Sequence, residues 1–303
     1  MTDPASSIAP PVPPVAPGGT RECWVNGAFL RERDAHINIF DRGLLFADGV
    51  YEVAAVFNGR LLDADLHLVR LERSLGALHI GGTQSAEEWG AVMQSLAERN
   101  AIEEGLVYLQ VTRGVAERDF PFPSATTPPT QFAYARPKPM RYDPNAAGIA
   151  LQSVPDIRWA RRDIKSIALL AQVLAKQEAR AAGAYEALMH EDGEVTEGGS
   201  STIWIVKNGT IRTRPLSHKI LAGITRDVIL TLAETLRIPV SERAFTLVDA
   251  LTADECFMTS ATSFVLPVTR IDERTIGDGT PGPCTTALRN AYLERAERLT
   301  AGR

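Results

Sequence analysis

The chain reads as a mixed α+β protein of two domains: a small N-terminal α/β part and a larger C-terminal part rich in strands, with helices. Three observations predict this. Two-residue hairpin signals recur at Asn26-Gly27, Asn58-Gly59, Asp192-Gly193 and Asn208-Gly209. Strands in hairpins are mixed with separate amphipathic helices, without regular βαβ winding. The run Pro137-Lys138-Pro139-Met140-Arg141-Tyr142-Asp143-Pro144 then breaks all periodicity near the middle. The expected division is a disordered tail over 1–20, a first domain over 21–137, a linker over 138–145 and a second domain over 146–303.

The elements follow in order. Cys23–Val25 and Ala28–Leu30 flank the first turn. Val50–Phe57 is β-rich and turns at Asn58-Gly59 into Arg60–Leu62. Asp63 or Asp65 is expected to cap a helix running to Leu78, with Leu68, Leu71, Leu75 and Leu78 on one face. Ser85 and Glu88 have the spacing of a capping box for a second helix ending near Asn100. Leu106–Thr112 and Gln131–Ala135 alternate as strands around a long loop over 113–129, a length more often functional than idle. Beyond the linker come a strand (Ile149–Val154) and a helix ending at Ala182 with Ile167, Leu170 and Leu174 inward. Strands then flank the two later turns. A helix opens at Gly223-Ile224-Thr225, strands fall at Cys256–Thr259 and Val265–Ile271, and a helix over Thr285–Leu299 ends the chain.

Composition narrows the function. The 303 residues are 45% hydrophobic and 23% charged, ordinary for a globular protein. A net charge of −5 and the lack of a basic block argue against nucleic acid as a main partner. No apolar run approaches the ~20 residues that span a bilayer. Cys23, Cys256 and Cys284 are far apart and in no metal-ligand spacing, so no metal is expected. They read as reduced thiols of a cytoplasmic protein. The first twenty residues lack the basic start and apolar core of a secretory signal.

Lys165 carries the most information. It stands where a strand-like stretch is expected to give way to a helix, between apolar Ile164 and Ile167, in a chain with only five lysines. Partial desolvation there disfavours the ammonium, and a neutral lysine amine attacks carbonyls. Four further features accompany it. Glu197, before Gly198-Gly199, is either a solvated turn acid or a carboxylate held at a strand mouth. Gly223-Ile224-Thr225 opens a helix, where Thr225 reads as an N-cap and the free N–H groups as an anion site. Thr259-Ser260-Ala261-Thr262-Ser263 is either a plain hydroxyl-rich turn or a set of phosphate donors. His67 and Arg70 lie one helical turn apart, and Arg70 is either an exposed ion-pairing arginine or a phosphate clamp. Together these supply an amine for a carbonyl, an acid for a ring nitrogen and pieces of a phosphate cup, the set that pyridoxal phosphate requires.

In order and spacing, several segments resemble one family. They are Asp41-Arg42-Gly43, Phe46-Ala47-Asp48-Gly49-Val50-Tyr51-Glu52, His67-Leu68-Val69-Arg70-Leu71 and Val111-Thr112-Arg113-Gly114. Arg158-Trp159 with Asp163-Ile164-Lys165-Ser166, then Thr196-Glu197-Gly198, Gly223-Ile224-Thr225-Arg226 and Thr259-Ser260-Ala261-Thr262, complete the set. From about Arg21 onward the chain resembles the class IV (fold type IV) pyridoxal-phosphate aminotransferases, and among them the D-amino-acid transaminases most. The resemblance implies the following roles. Lys165 is the Schiff-base lysine and the proton-moving base. Glu197 pairs with the pyridine nitrogen. Arg70, the N–H groups of Ile224 and Thr225, and Ser260 with Ala261 hold the phosphate. Ala261 stands where a threonine hydroxyl is expected, so only its backbone can serve. Tyr51 and Arg118 trap the substrate α-carboxylate. The loop carrying Arg118 reaches into a neighbouring subunit's site, so a homodimer is implied.

One position departs from the pattern. The usual Arg-x-His of that loop reads Arg118-Asp119-Phe120 here. Phe120 removes a hydrogen-bond donor to a carboxylate, a loss of about 1.5–3 kcal/mol in binding. The expected reaction is transfer of an amino group from a D-amino acid such as D-alanine to a 2-oxo acid such as 2-oxoglutarate. The alternatives are a branched-chain L-amino-acid aminotransferase, an (R)-selective amine transaminase, an aminodeoxychorismate lyase, or a non-catalytic binding protein of the same fold.

Overall fold

The computed structural model describes residues 19–141 and 143–301. All but the last two residues of the expected tail lie outside them. The first layer is a six-stranded antiparallel sheet of β1 (Glu22–Val25), β2 (Ala28–Arg31), β3 (Gly49–Phe57), β4 (Arg60–Leu62), β5 (Glu104–Thr112) and β6 (Thr130–Pro137), in the order β2-β1-β6-β5-β3-β4. With it go α1 (Arg42–Phe46), α2 (Ala64–Ala77) and α3 (Ala86–Arg99). The chain leaves this sheet at Pro137 and enters the second at Ile149.

The second sheet has nine strands. They are β7 (Ile149–Pro155), β8 (Glu186–Glu191), β9 (Glu194–Gly198), β10 (Thr202–Lys207), β11 (Thr210–Thr213), β12 (Val240–Glu242), β13 (Glu255–Ser260), β14 (Phe264–Ile271) and β15 (Arg274–Thr275). Their order is β12-β11-β10-β13-β14-β7-β8-β9, with β15 on β14. The pairs β11–β12, β14–β7 and β7–β8 are parallel. Four helices accompany it: α4 (Leu170–Ala181), α5 (Ile224–Thr235), α6 (Leu247–Leu251) and α7 (Pro283–Thr300).

The turn chemistry acts as predicted. Both residues of Asn26-Gly27, Asn58-Gly59, Asp192-Gly193 and Asn208-Gly209 have positive φ, which a two-residue hairpin needs to match strand twist. The Ser85–Glu88 capping box is formed on both sides. On β3, Val50, Ala54 and Val56 join Leu68, Leu71, Leu75, Trp89 and Met93 in a core under α2 and α3. Ala55 and Phe57 face the other way, into a core with Trp204, Phe257, Phe264 and Tyr292 that fastens the two sheets together. Tyr51 and Val53 share that second face and open onto the space between the sheets.

Two expectations fail. The helix after Lys165 begins only at Leu170, and Leu170 and Leu174 are 72% and 53% exposed. Its buried residues are Ala175 and Ala179, packed with Val154, Ala187 and Met189. Small side chains let the helix sit close on β7 and β8, so the larger leucines point outward. Asp63 occupies the N-cap of α2, but its side chain makes no capping bond. It accepts two hydrogen bonds from Arg295 of α7, at 3.0 and 2.6 Å.

That pair ties the start of α2 to the terminal helix. Asp63→Asn is expected to lower stability by about 1–3 kcal/mol, read from the urea midpoint. Adding Arg295→Met should then cost little more, because the partner is already lost.

Candidate active site

A cavity of about 420 Å³ opens between the sheets. Lys165 lies on its wall, though not at a helix start. Its segment is extended and pairs with β3: Tyr51 N donates to Lys165 O (3.1 Å) and Ile167 N to Gly49 O (3.0 Å), with a bridge between Val50 and Ser166. A Cβ on Gly49 would lie 2.6 Å from Val111 O and 3.0 Å from Ile167 Cδ1, so glycine lets β5 pack close here beside the segment. Lys165 Nζ sits 4.2 Å from the centroid of the Tyr51 ring. Among the described residues no carboxylate is within ion-pair distance of that amine.

Glu197 faces the same cavity near the end of β9 and is 6% exposed. Arg158 forms a short ion pair with it, and Leu221 N donates to its Oε2 at 3.2 Å. Burial nevertheless pushes the Glu197 carboxyl above its ordinary value, with the Arg158 charge and the Leu221 N–H opposing. Arg158 is itself held by Asp156, through Nε at 2.9 Å and Nη2 at 2.7 Å, and Thr196 Oγ1 donates to Asp156 at 2.6 Å. Asp156 and Thr196 thus orient the arginine that flanks Glu197.

Arg70 lines the cavity and is anchored within the protein. Nε and Nη2 donate to the two oxygens of Glu52 at 2.7 and 2.8 Å. His67 Nδ1 lies 2.7 Å from Glu52 Oε2, and Arg70 Nη1 donates to Ala222 O at 2.8 Å. This bidentate carboxylate pair and the Ala222 contact engage three of the five guanidinium N–H groups and anchor the loop before α5. Burial alone would raise the Glu52 carboxyl. The Arg70 charge and hydrogen bonds, with His67, hold it well below the usual carboxylate range.

The start of α5 is uncapped by any side chain. Gly223 is its N-cap, so Ile224 and Thr225 are the first two helical residues and Thr225 is not the cap. Both line the cavity, as do Ser260 at the end of β13 and Ala261 after it. Ser201 Oγ, also on the wall, is buried with no hydrogen-bond partner among the described residues. Tyr51 completes the set and stacks on Tyr108 at 5.6 Å.

Arg118 and Phe120 do not join it. Their loop lies against α1, where Arg42 donates to the carbonyls of Asp119 (2.6 Å), Phe120 (3.3 Å) and Pro121 (3.4 Å). The Arg118 guanidinium lies 5.3 Å from the Phe46 ring, and Phe120 is 75% exposed. Sequence reasoning quoted Glu52 and Arg158 within motifs but gave them no role, and it assigned nothing to Asp156, Ser201, Arg136 and Lys138. Arg136 and Lys138, on β6 and at its exit, carried a signal, as cations two residues apart on an alternating strand.

An amine, a buried acid and an uncapped helix start converge on one cleft, and relationships to known proteins agree with that set. The family model for amino-transferase class IV matches residues 49–271, and the chain belongs to that family. It is 40% identical to the D-alanine aminotransferase of Staphylococcus aureus (strain N315) over 274 residues, 90% of this chain and 97% of the relative. Identity to the D-alanine aminotransferase of Bacillus licheniformis is 40% over 278 residues, 90% of this chain and 98% of the relative. The crystal structure of a T.th. branched-chain amino acid aminotransferase with pyridoxamine 5'-phosphate superposes with a TM-score of 0.83 at 28% identity, covering 92% of this chain and 94% of that one.

The Glu52 pair makes a signed pH prediction. A depressed carboxyl pKa contributes stability that is complete above the unfolded value and is lost as pH falls toward the folded one. Glu52→Gln is expected to cost about 3–5 kcal/mol at pH 7, since it leaves Arg70 buried without its partner. In guanidinium titrations the gap to the native protein should narrow at pH 3.

Proposed function

We propose that the chain is a pyridoxal-phosphate-dependent D-amino-acid transaminase that passes the amino group of a donor such as D-alanine to a 2-oxo acid such as 2-oxoglutarate. The observation that carries this is the convergence of Lys165, Glu197 and the bare start of α5 on one cleft. The D-amino-acid preference draws on the D-alanine aminotransferase relatives, 39–40% identical over 90% of the chain.

The residues present fit the cofactor. Its phosphate suits the N–H groups of Ile224 and Thr225, Ser260, the backbone of Ala261 and the orphaned Ser201 hydroxyl. Arg70 joins that cup through its remaining N–H groups and supports it by holding Ala222 O. Its ring nitrogen suits Glu197, whose buried carboxylate answers a protonated ring. When bound, the cofactor supplies a carbonyl for amine exchange and an electron sink for the carbanion at the substrate Cα. Lys165 Nζ, half-buried over Tyr51, holds the cofactor and carries the proton to and from the substrate Cα. Tyr51 forms the wall on the substrate side.

The α-carboxylate is assigned to Tyr51 together with Arg118 of a second subunit, in a homodimer that shares the 113–129 loop. Phe120 makes that entrance apolar. Residues 21–137 and 146–303 act in this reading as two domains about the cleft, joined by 138–145. The three cysteines are free, which suits a reducing compartment, the cytoplasm. Among the described residues no helix is long and apolar enough to cross a membrane.

The test is to offer D-alanine, L-leucine and (R)-1-phenylethylamine with 2-oxoglutarate and to determine the chirality of the glutamate. D-glutamate from D-alanine is expected, and turnover with L-leucine alone would give the cleft to the branched-chain reading that the structural likeness favours. Lys165→Ala should lose the visible absorbance of bound cofactor and all transamination. Heterodimers of Lys165→Ala and Arg118→Ala subunits should regain one working site. Activity no higher than either parent would place Arg118 outside its neighbour's site.

A further inference from the structure

Most arginines facing the cleft are matched by acids, as is Lys176. Arg70 is held by Glu52, Arg158 by Glu197 and Asp156, Arg162 by Asp156 and Glu191, and Lys176 by Glu186. Arg136 differs. It lines the cleft and is half-buried, yet among the described residues no hydrogen bond or ion pair reaches its guanidinium. Withdrawing a charge from water without a partner is costly, so an open guanidinium on a cavity wall favours an incoming anion.

Its surroundings point the same way. Arg136 stands next to the end of β6, on the face that carries Phe132 and Tyr134, opposite the buried Ala133 and Ala135. It pairs in register with Leu106, which pairs with Ala55, and the acid diagonally opposite on that face, Glu104, is taken by Arg141 and the N–H of Met140. The preceding row is Tyr134, Tyr108 and Val53, and Tyr51 lies one row further. Rows on one face are roughly 7 Å apart, which sets Arg136 well away from the amine end of the cleft. Lys138, two residues on, lines the same wall. Its Nζ donates to Thr262 O and to Ser263 Oγ, the latter at 3.2 Å. Burial draws the Lys138 ammonium down to about 8, with Arg136 and Lys176 adding repulsion and Asp143 opposing.

We infer that Arg136, with Lys138 beside it, forms an anion subsite for the distal carboxylate of a dicarboxylic 2-oxo acid or of the matching acidic amino acid. The inference rests on the transaminase reading of the cleft. A planar guanidinium fork suits a carboxylate, and the cofactor phosphate already has its donors at α5 and the Ser260 loop. Substrate of this class is then gripped at both ends, the α-carboxylate near Tyr51 and the far one at Arg136. An apolar side chain gains nothing from the second grip.

Two measurements test it on the cofactor-loaded enzyme. With D-alanine as donor, the ratio of kcat/KM for 2-oxoglutarate over 2-oxopentanoate should fall at least about tenfold in Arg136→Gln, the loss expected of a charged hydrogen bond. Arg136→Lys keeps the charge without the fork, so it should fall between the two and serves if the glutamine variant does not fold. By calorimetry, the wild type should bind glutarate more tightly than pentanoate, and Arg136→Gln should erase the difference. An unchanged ratio, or an equal loss for both acceptors, overturns the subsite. Equal binding of glutarate and pentanoate also overturns it while leaving the transaminase reading intact. Arg136-dependent glutarate binding in an enzyme inert toward D-amino acids would keep the subsite and sink that reading.

Discussion

The Glu52–Arg70 pair is the constraint on which the site's layout depends. Glu52 sits on β3 with its side chain 0% exposed, and Arg70 on α2 meets it with both arms of its fork. The same guanidinium reaches Ala222 O just before α5. One residue therefore sets three things at once: the seat of α2 on the first sheet, the approach of the second layer and the angle at which the start of α5 faces the cleft. A lysine could carry the charge but not the three directions. His67 shares the carboxylate, so the acid is satisfied from two positions one helical turn apart.

A second network mirrors it across the cavity. Asp156, Thr196 and Arg158 are stacked behind Glu197, and each link is short. The first network keeps a carboxylate firmly ionised, whereas the second leaves one whose proton affinity is raised by burial. The difference lies in the partners. Glu52 has two cationic or potentially cationic neighbours, while Glu197 must share Arg158 with Asp156.

Local physics was legible in the sequence, and long-range pairing was not. Turn residues with positive φ, the Ser85–Glu88 box and the leucine face of α2 each depend on neighbours a few residues away, so spacing reveals them. The members of the site were legible because several motifs stood in a familiar order. Their connections were hidden. Glu52 looks like an ordinary polar position of a strand, and nothing local says that Arg70, eighteen residues on, takes its fork. The inward face of α4 was misread because its contact is made by Ala175 and Ala179, which carry little hydrophobic signal beside the exposed leucines. Arg118 was placed by resemblance alone, and its loop here lies against α1, away from the cleft.

The extended segment around Lys165 acts as a short extra strand on β3, although it belongs in sequence to the second half of the chain. Tyr51 N holds Lys165 O, and the Tyr51 ring lies under the amine. The amine is thus bolted to the first sheet, while Glu197 and the start of α5 ride on the second. Any rocking of the two layers would leave the lysine fixed over its tyrosine and change only its distance to the groups across the gap. The amine then sits on one jaw of a vice whose closing is set by how the sheets meet.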